Sequence, residues 1–125
     1  MKIGIERLLH DLSGMGYGDV ERCDDHTGVS YAVMKGFEIP AGTFAGRIID
    51  LAVPAPPNFP QGVTSSIHIK ASPILVTQGM VTGIRNVLPS NLGIEWQYWS
   101  YNFVLPPGNP TAELITKINE IFRRN

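Results

Sequence analysis

The chain is short of cysteine, of any dominant charge and of long apolar runs, and each shortage removes a class of protein. Its single cysteine, Cys23, cannot form an internal disulfide. A disulfide-stapled scaffold is therefore excluded, and a reducing compartment is the natural expectation. Ten Lys and Arg stand against eleven Asp and Glu, for a formal charge of −1. No global field is present to hold nucleic acid or an anionic membrane. Near the start, Lys2, Glu6 and Arg7 interrupt the apolar residues, and no stretch there reaches the length of a signal-peptide core or a membrane span. The expectation is a cytoplasmic protein with neither nucleic acid nor membrane as partner.

Metal and nucleotide chemistry also lack their usual residues. Cys23-Asp24-Asp25-His26 gathers possible ligands, but only His10 and His68 remain elsewhere, too few for a well-spaced zinc set. Gly14-Met15-Gly16-Tyr17-Gly18 follows a helical pattern instead of opening a helix after a strand, so it reads as a helix stop and not as a phosphate loop. The hydrolase, P-loop and metalloprotease signatures are missing as well. Neither metal nor cofactor is expected, and Cys23 reads most simply as a buried or inert thiol.

What is present suits one domain spanning residues 1–125. With 43% hydrophobic and 17% charged residues, a chain of this length can bury roughly two-thirds of its unfolded surface around one core. Ile5, Leu8, Leu9 and Leu12 follow the i, i+3, i+4, i+7 spacing of an amphipathic helix. Asp19 to Gly28 reads as a connection with a short extended piece around Val20. Val29–Phe37 and Arg47–Val53, divided by Pro40-Ala41-Gly42, predict an antiparallel hairpin. Ile49, Leu51 and Val53 share one face, and Ile67 with Ile69 repeats the alternation in a third strand, after a crossing from Pro54 to Gly62. Ser72 to Leu92 has no clean period and reads as irregular structure over the sheet. Asn109 and Pro110 then open a helix with the apolar stripe Leu114, Ile115, Ile118, Ile121 and Phe122, and Arg123 and Arg124 suit its negative end. The expected class is α+β: N-terminal helix, antiparallel strand meander, irregular segment, C-terminal helix.

Four groups of residues within this order carry a resemblance. They are Phe37-Glu38-Ile39-Pro40, Phe44-Ala45-Gly46, Asp50-Leu51-Ala52-Val53-Pro54 and Pro56-Pro57-Asn58-Phe59-Pro60. Together they resemble the meander of the ubiquitin-conjugating (UBC) family, in which the second strand closes on a proline-rich crossing before the third. Trp96-Gln97-Tyr98-Trp99-Ser100 and Pro106-Pro107-Gly108 are similar to a pattern in a bacterial branch of UBC-like proteins that accompanies ubiquitin-like modifiers and activating enzymes. The chain departs from the family twice. Ser72-Pro73-Ile74 stands where the family carries His-Pro-Asn, and Cys23 precedes the meander whereas the family cysteine follows it.

The resemblance implies a UBC-like protein acting with a ubiquitin-like modifier and its activating enzyme. Family chemistry needs an acyl carrier and a donor for the oxyanion. Aligning Pro106 with the family proline makes Ser100 the candidate carrier, as an oxyester, in a transferase without a catalytic cysteine. His68, on the outward face of the third strand, is the candidate base, and Asn102 could supply the missing amide. Thr82 and Ser90 are weaker candidates. The plain alternative makes Ser100 a turn residue beside packing tryptophans, and the protein a catalytically inactive UBC-like module that binds the modifier or a partner subunit. Trp96, Tyr98, Trp99 and Tyr101 would divide between core and partner surface if extended, and Trp96 and Trp99 are candidate partner contacts. The first helix, through Lys2, Glu6 and Arg7, is similar to the family's docking surface for the activating enzyme, unless those charges are only a solvated face.

Overall fold

The stripe of Leu8 and Leu12 becomes the buried face of α1 (Gly4–Gly14), in a computed structural model that describes residues 3–42, 44–59, 66–71, 86–90, 92–100 and 110–123. No side chain caps the start of α1. Its first amide, from Gly4, instead donates to the Phe59 carbonyl at 2.9 Å, which fastens the helix to the proline-rich crossing. Gly4 has φ +66°, and a Cβ there would lie 3.1 Å from the Pro57 carbonyl oxygen, so only glycine suits the position. At the other end the Met15 amide returns to the carbonyls of Asp11 and Leu12, and the expected stop follows at once with Gly16 at φ +98°.

Among the described residues, six strands form one antiparallel sheet in the order β1-β2-β3-β4-β6-β5: β1 (Val20–Asp24), β2 (Ser30–Glu38), β3 (Ile48–Ala55), β4 (Ser66–Lys70), β5 (Asn86–Ser90) and β6 (Gly93–Ser100). The expected hairpin is β2–β3, and β4 completes the expected meander. A proline within β3 is tolerated because the β3–β4 pairing runs only over Asp50 to Ala52, leaving Pro54 outside it. Two segments differ from expectation. The extended piece around Val20 is a full five-residue strand at the sheet edge, almost wholly exposed, so it shows no apolar alternation to read. Asn86–Ser90, assigned above to irregular structure, is the opposite edge strand, with Pro89 inside it. Residues 72–85 and 91 lie outside the described residues.

α2 (Pro110–Arg123) lies on the same side of the sheet as α1. Leu114, Ile115, Ile118, Ile121 and Phe122 join Leu8, Leu12, Met34, Leu51, Val53, Ile67, Ile69 and Trp99 in one buried cluster. Each such aliphatic or aromatic side chain contributes about 1.5–3 kcal/mol through burial. Where the two helices meet, the Thr111 hydroxyl donates to Asp11 Oδ2 at 2.6 Å, and Arg7 Nε donates to the same oxygen at 2.8 Å. One carboxylate thus holds both helices. Among the described residues no helix is long and apolar enough to cross a membrane.

Candidate functional site

Strand alternation sends every second side chain to the face away from the helices. From β2 come Tyr31 and Val33, from β3 Ala52, from β4 Ser66 and His68, and from β6 Trp96 and Tyr98. Cross-strand register places His68 opposite Tyr98 on one side and Ala52 on the other. Its ring sits edge-on between Tyr31, at 4.8 Å between centroids, and Tyr98, at 5.1 Å. Ser66 Oγ lies 3.5 Å from His68 Nε2, the outer limit of a hydrogen bond.

A polar hub continues from this aromatic group. β1 turns into β2 through Asp25–Gly28, and the Gly28 amide donates to the Asp25 carbonyl at 3.2 Å. The Asp25 carboxylate accepts from the Thr27 amide at 2.8 Å, the Thr27 hydroxyl at 2.6 Å, the Val29 amide at 3.1 Å and the Tyr31 hydroxyl at 2.8 Å. Burial alone would raise its pKa, but the hydrogen bonds from Thr27, Tyr31 and Val29 outweigh it and hold the group well below the usual carboxylate range. Tyr31 is pushed well above the usual phenol value, first by burial and then by its bond to Asp25. His68 is lowered to about 4 by burial, against a weak opposing pull from the Asp25 charge. The imidazole is therefore neutral at physiological pH and a poor proton acceptor.

The expected site residues separate on this frame. His68 does face away from the helices, but it is only 3% exposed, so the outward face is closed at this position. Ser100 is the last residue of β6, in register with Ser66 on β4 and Asn86 on β5. Its backbone therefore belongs to the same corner of the sheet as the Ser66–His68 pair. Asn102 and Lys2 lie outside the described residues, as do Thr82 and Ser72-Pro73-Ile74; Ser90 ends β5.

Trp99 is fully buried on the helix side, 5.8 Å from Phe122 between ring centroids, so it packs the core and presents nothing to a partner. Trp96 is half-buried and packs against Tyr31, Val33 and Ala52. On α1, Glu6 is exposed, 3.7 Å from Arg22 Nη1, whereas Arg7 is engaged with Asp11. Cys23, expected to be buried or inert, is not buried: it lies exposed on edge strand β1. β2, β3 and β4 separate it from Ser100 on β6. Among the described residues no group of His, Cys, Asp or Glu could hold a metal ion.

Sequence reasoning missed Asp25 and Tyr31. Their signal was present: Asp25, followed at the third position by Gly28, is a common turn pattern in which the aspartate bonds nearby amides, and Tyr31 lies two residues into the strand. No protein-family model matches the chain, and neither a curated protein nor a solved structure matches it.

Proposed function

We propose that this chain is a UBC-like binding module that holds a ubiquitin-like modifier, or a partner subunit, without forming a covalent bond to it. One observation supports this reading above the others. His68, the candidate base nearest a possible acyl carrier, is enclosed between Tyr31 and Tyr98 at 3% exposure, with its basicity lowered. Serine needs a base far more than a cysteine thiolate does, and a histidine in this setting serves as a core residue. The exposed Cys23 lies at the other end of the sheet.

The deciding experiment is intact mass of the chain after incubation with a bacterial ubiquitin-like modifier, its activating enzyme and ATP. The expected outcome is activated modifier, no adduct on this chain, and saturable binding of the modifier by calorimetry. A modifier-sized adduct on the chain overturns the binding-module reading.

A second reading, oxyester carriage on Ser100, draws support from register. Ser100 is paired with Ser66, whose hydroxyl meets His68. An adduct cleaved by hydroxylamine and lost in Ser100→Ala would establish it. Loss in Cys23→Ala alone would point to thioester chemistry at the exposed thiol.

A further inference from the structure

The two edges of the sheet are built differently. β5 carries Pro89 and a register shift between Pro89 and Ser90, two devices that discourage a further strand from pairing. β1 has neither: it pairs with β2 in unbroken register through all five residues and is exposed from Glu21 onward. Ladder hydrogen bonds alternate between the two sides of a strand. The Asp19 carbonyl accepts from the Lys35 amide at 3.0 Å and the Asp25 amide donates to the Val29 carbonyl at 2.9 Å, so the odd-numbered residues address β2. The backbone groups of Val20, Arg22 and Asp24 therefore point outward, where no strand follows among the described residues.

A second copy of β1 fits this edge in one register. Directly opposed residues share a face of the sheet, so two antiparallel copies related by a twofold axis must centre on a residue. Centring on Glu21, Arg22 or Asp24 sets a charge against itself, and centring on Val20 sets Asp19 against Glu21. Centring on Cys23 puts Arg22 of each copy opposite Asp24 of the other, twice over. Arg22 and Asp24 are also the residues whose backbone groups point outward, so both pairs can close their ladder bonds. Cys23 then meets its copy as a non-hydrogen-bonded pair, with Cα atoms about 4.5 Å apart. It lies across from Tyr31, on the face away from the helices, so α1 does not stand between the thiols.

The remaining charges tolerate this arrangement. Glu21 comes opposite Asp25, but Glu21 is held by Lys35 at 2.8 Å and the Asp25 carboxylate is turned to its four donors. Within one chain Arg22 meets Asp24 only at 3.2 and 3.4 Å and Glu6 at 3.7 Å, and the Arg22 and Asp24 side chains are each 48% exposed. Both have room for a second partner.

We propose that β1 is the self-association edge of this protein: two copies pair through β1 about a twofold axis at Cys23, joining their sheets into one. The interface is short, and a dissociation constant on the order of 100 micromolar is expected. It lies strands away from His68 and Ser100, so its test and that of the binding-module reading fail independently.

The test is sedimentation equilibrium of the reduced chain between about 10 micromolar and about 1 millimolar, a range that brackets the expected constant. Arg22→Asp leaves both paired positions acidic and Asp24→Arg leaves both basic, so each variant alone should dimerise at least about tenfold more weakly. Mixed in equal amounts, the two variants set unlike charges at both pairs and should recover dimer near the parent affinity. Contacts within one chain cannot produce that rescue. Unchanged melting temperatures verify that the variants fold. A second measurement uses the native chain with diamide, which takes two electrons and two protons from a pair of thiols. The Cys23–Cys23 disulfide should form several times faster than the one in Glu21→Cys combined with Cys23→Ser, whose thiols this register holds about 13 Å apart along the strands. A parent that stays monomeric at the highest concentration, folded variants that dimerise like the parent, a mixture of them that recovers no dimer, or equal oxidation rates at the two positions would each overturn the proposal.

Discussion

The two faces of the sheet are built from the same strands and behave as different materials. On β2, Ala32 and Met34 face the helices while Tyr31 and Val33 face away; on β4, Ile67 and Ile69 oppose Ser66 and His68; on β6, Trp99 opposes Trp96 and Tyr98. The helix side is held mainly by apolar contact, with Asp11 as the charged group where the two helices meet. The other side combines aromatic rings with a carboxylate, a phenol and an imidazole at fixed distances. Apolar packing is almost indifferent to pH, whereas buried titratable groups tie stability to protonation. The comparison therefore assigns bulk stability to one face and pH response to the other.

The largest effect expected is on the helix side. Phe122→Ala removes a fully buried ring that meets both Phe37 and Trp99, and should cost about 3–5 kcal/mol in urea denaturation, nearly equally at pH 7 and pH 5. A strong pH dependence of that loss would break the division between the faces.

Next comes His68. Its pKa is lowered to about 4 in the folded protein from an ordinary 6.5, so the unfolded chain takes up the proton first. Stability is fully present above pH 6.5 and is lost as pH falls toward 4, by on the order of 3 kcal/mol. His68→Phe should flatten denaturation midpoints across that window. It should leave intact the further loss below pH 3.8, where Asp25, with its depressed pKa, begins to take up a proton on unfolding.

Tyr31→Phe sharpens the comparison on a smaller scale. It removes one hydrogen bond to a carboxylate and keeps the ring against His68, for an expected loss of about 1.5–3 kcal/mol at pH 7 that shrinks when Asp25 is protonated. Smallest is Glu6→Gln on α1. Its contact with Arg22 is long and both side chains are well exposed, so melting should move within noise, by less than about 0.5 kcal/mol. A larger shift would mean that the α1–β1 contact carries more stability than its exposure implies.

Legibility in the sequence followed burial. α1, α2 and strands β2 to β4 were readable because one face of each is apolar, and the periods of 3.6 and 2 survive in the residue order. Edge strand β5 was not, and β1 was legible only as a short extended piece around Val20. Exposure removes the alternation from Val20-Glu21-Arg22-Cys23-Asp24, and Pro89 argues against a strand unless the strand is an edge. The tryptophans were readable as a pair of opposed faces, but not which of them is core. Residue order also could not reveal that His68 is closed in, because an outward position on a strand is exposed only if nothing lies over it.

By itself the sequence determined the α+β class, the order of the main elements, the stop after α1 and the apolar residues of the core, since these depend on local spacing and on which side chains avoid water. Only the tertiary structure decided that Trp99 packs inward, that Cys23 lies exposed on an edge, that Asp25 gathers four donors and that His68 is buried between two tyrosines. Those properties arise where separate strands pair in a particular register, and no local pattern of residues encodes which strand becomes the neighbour.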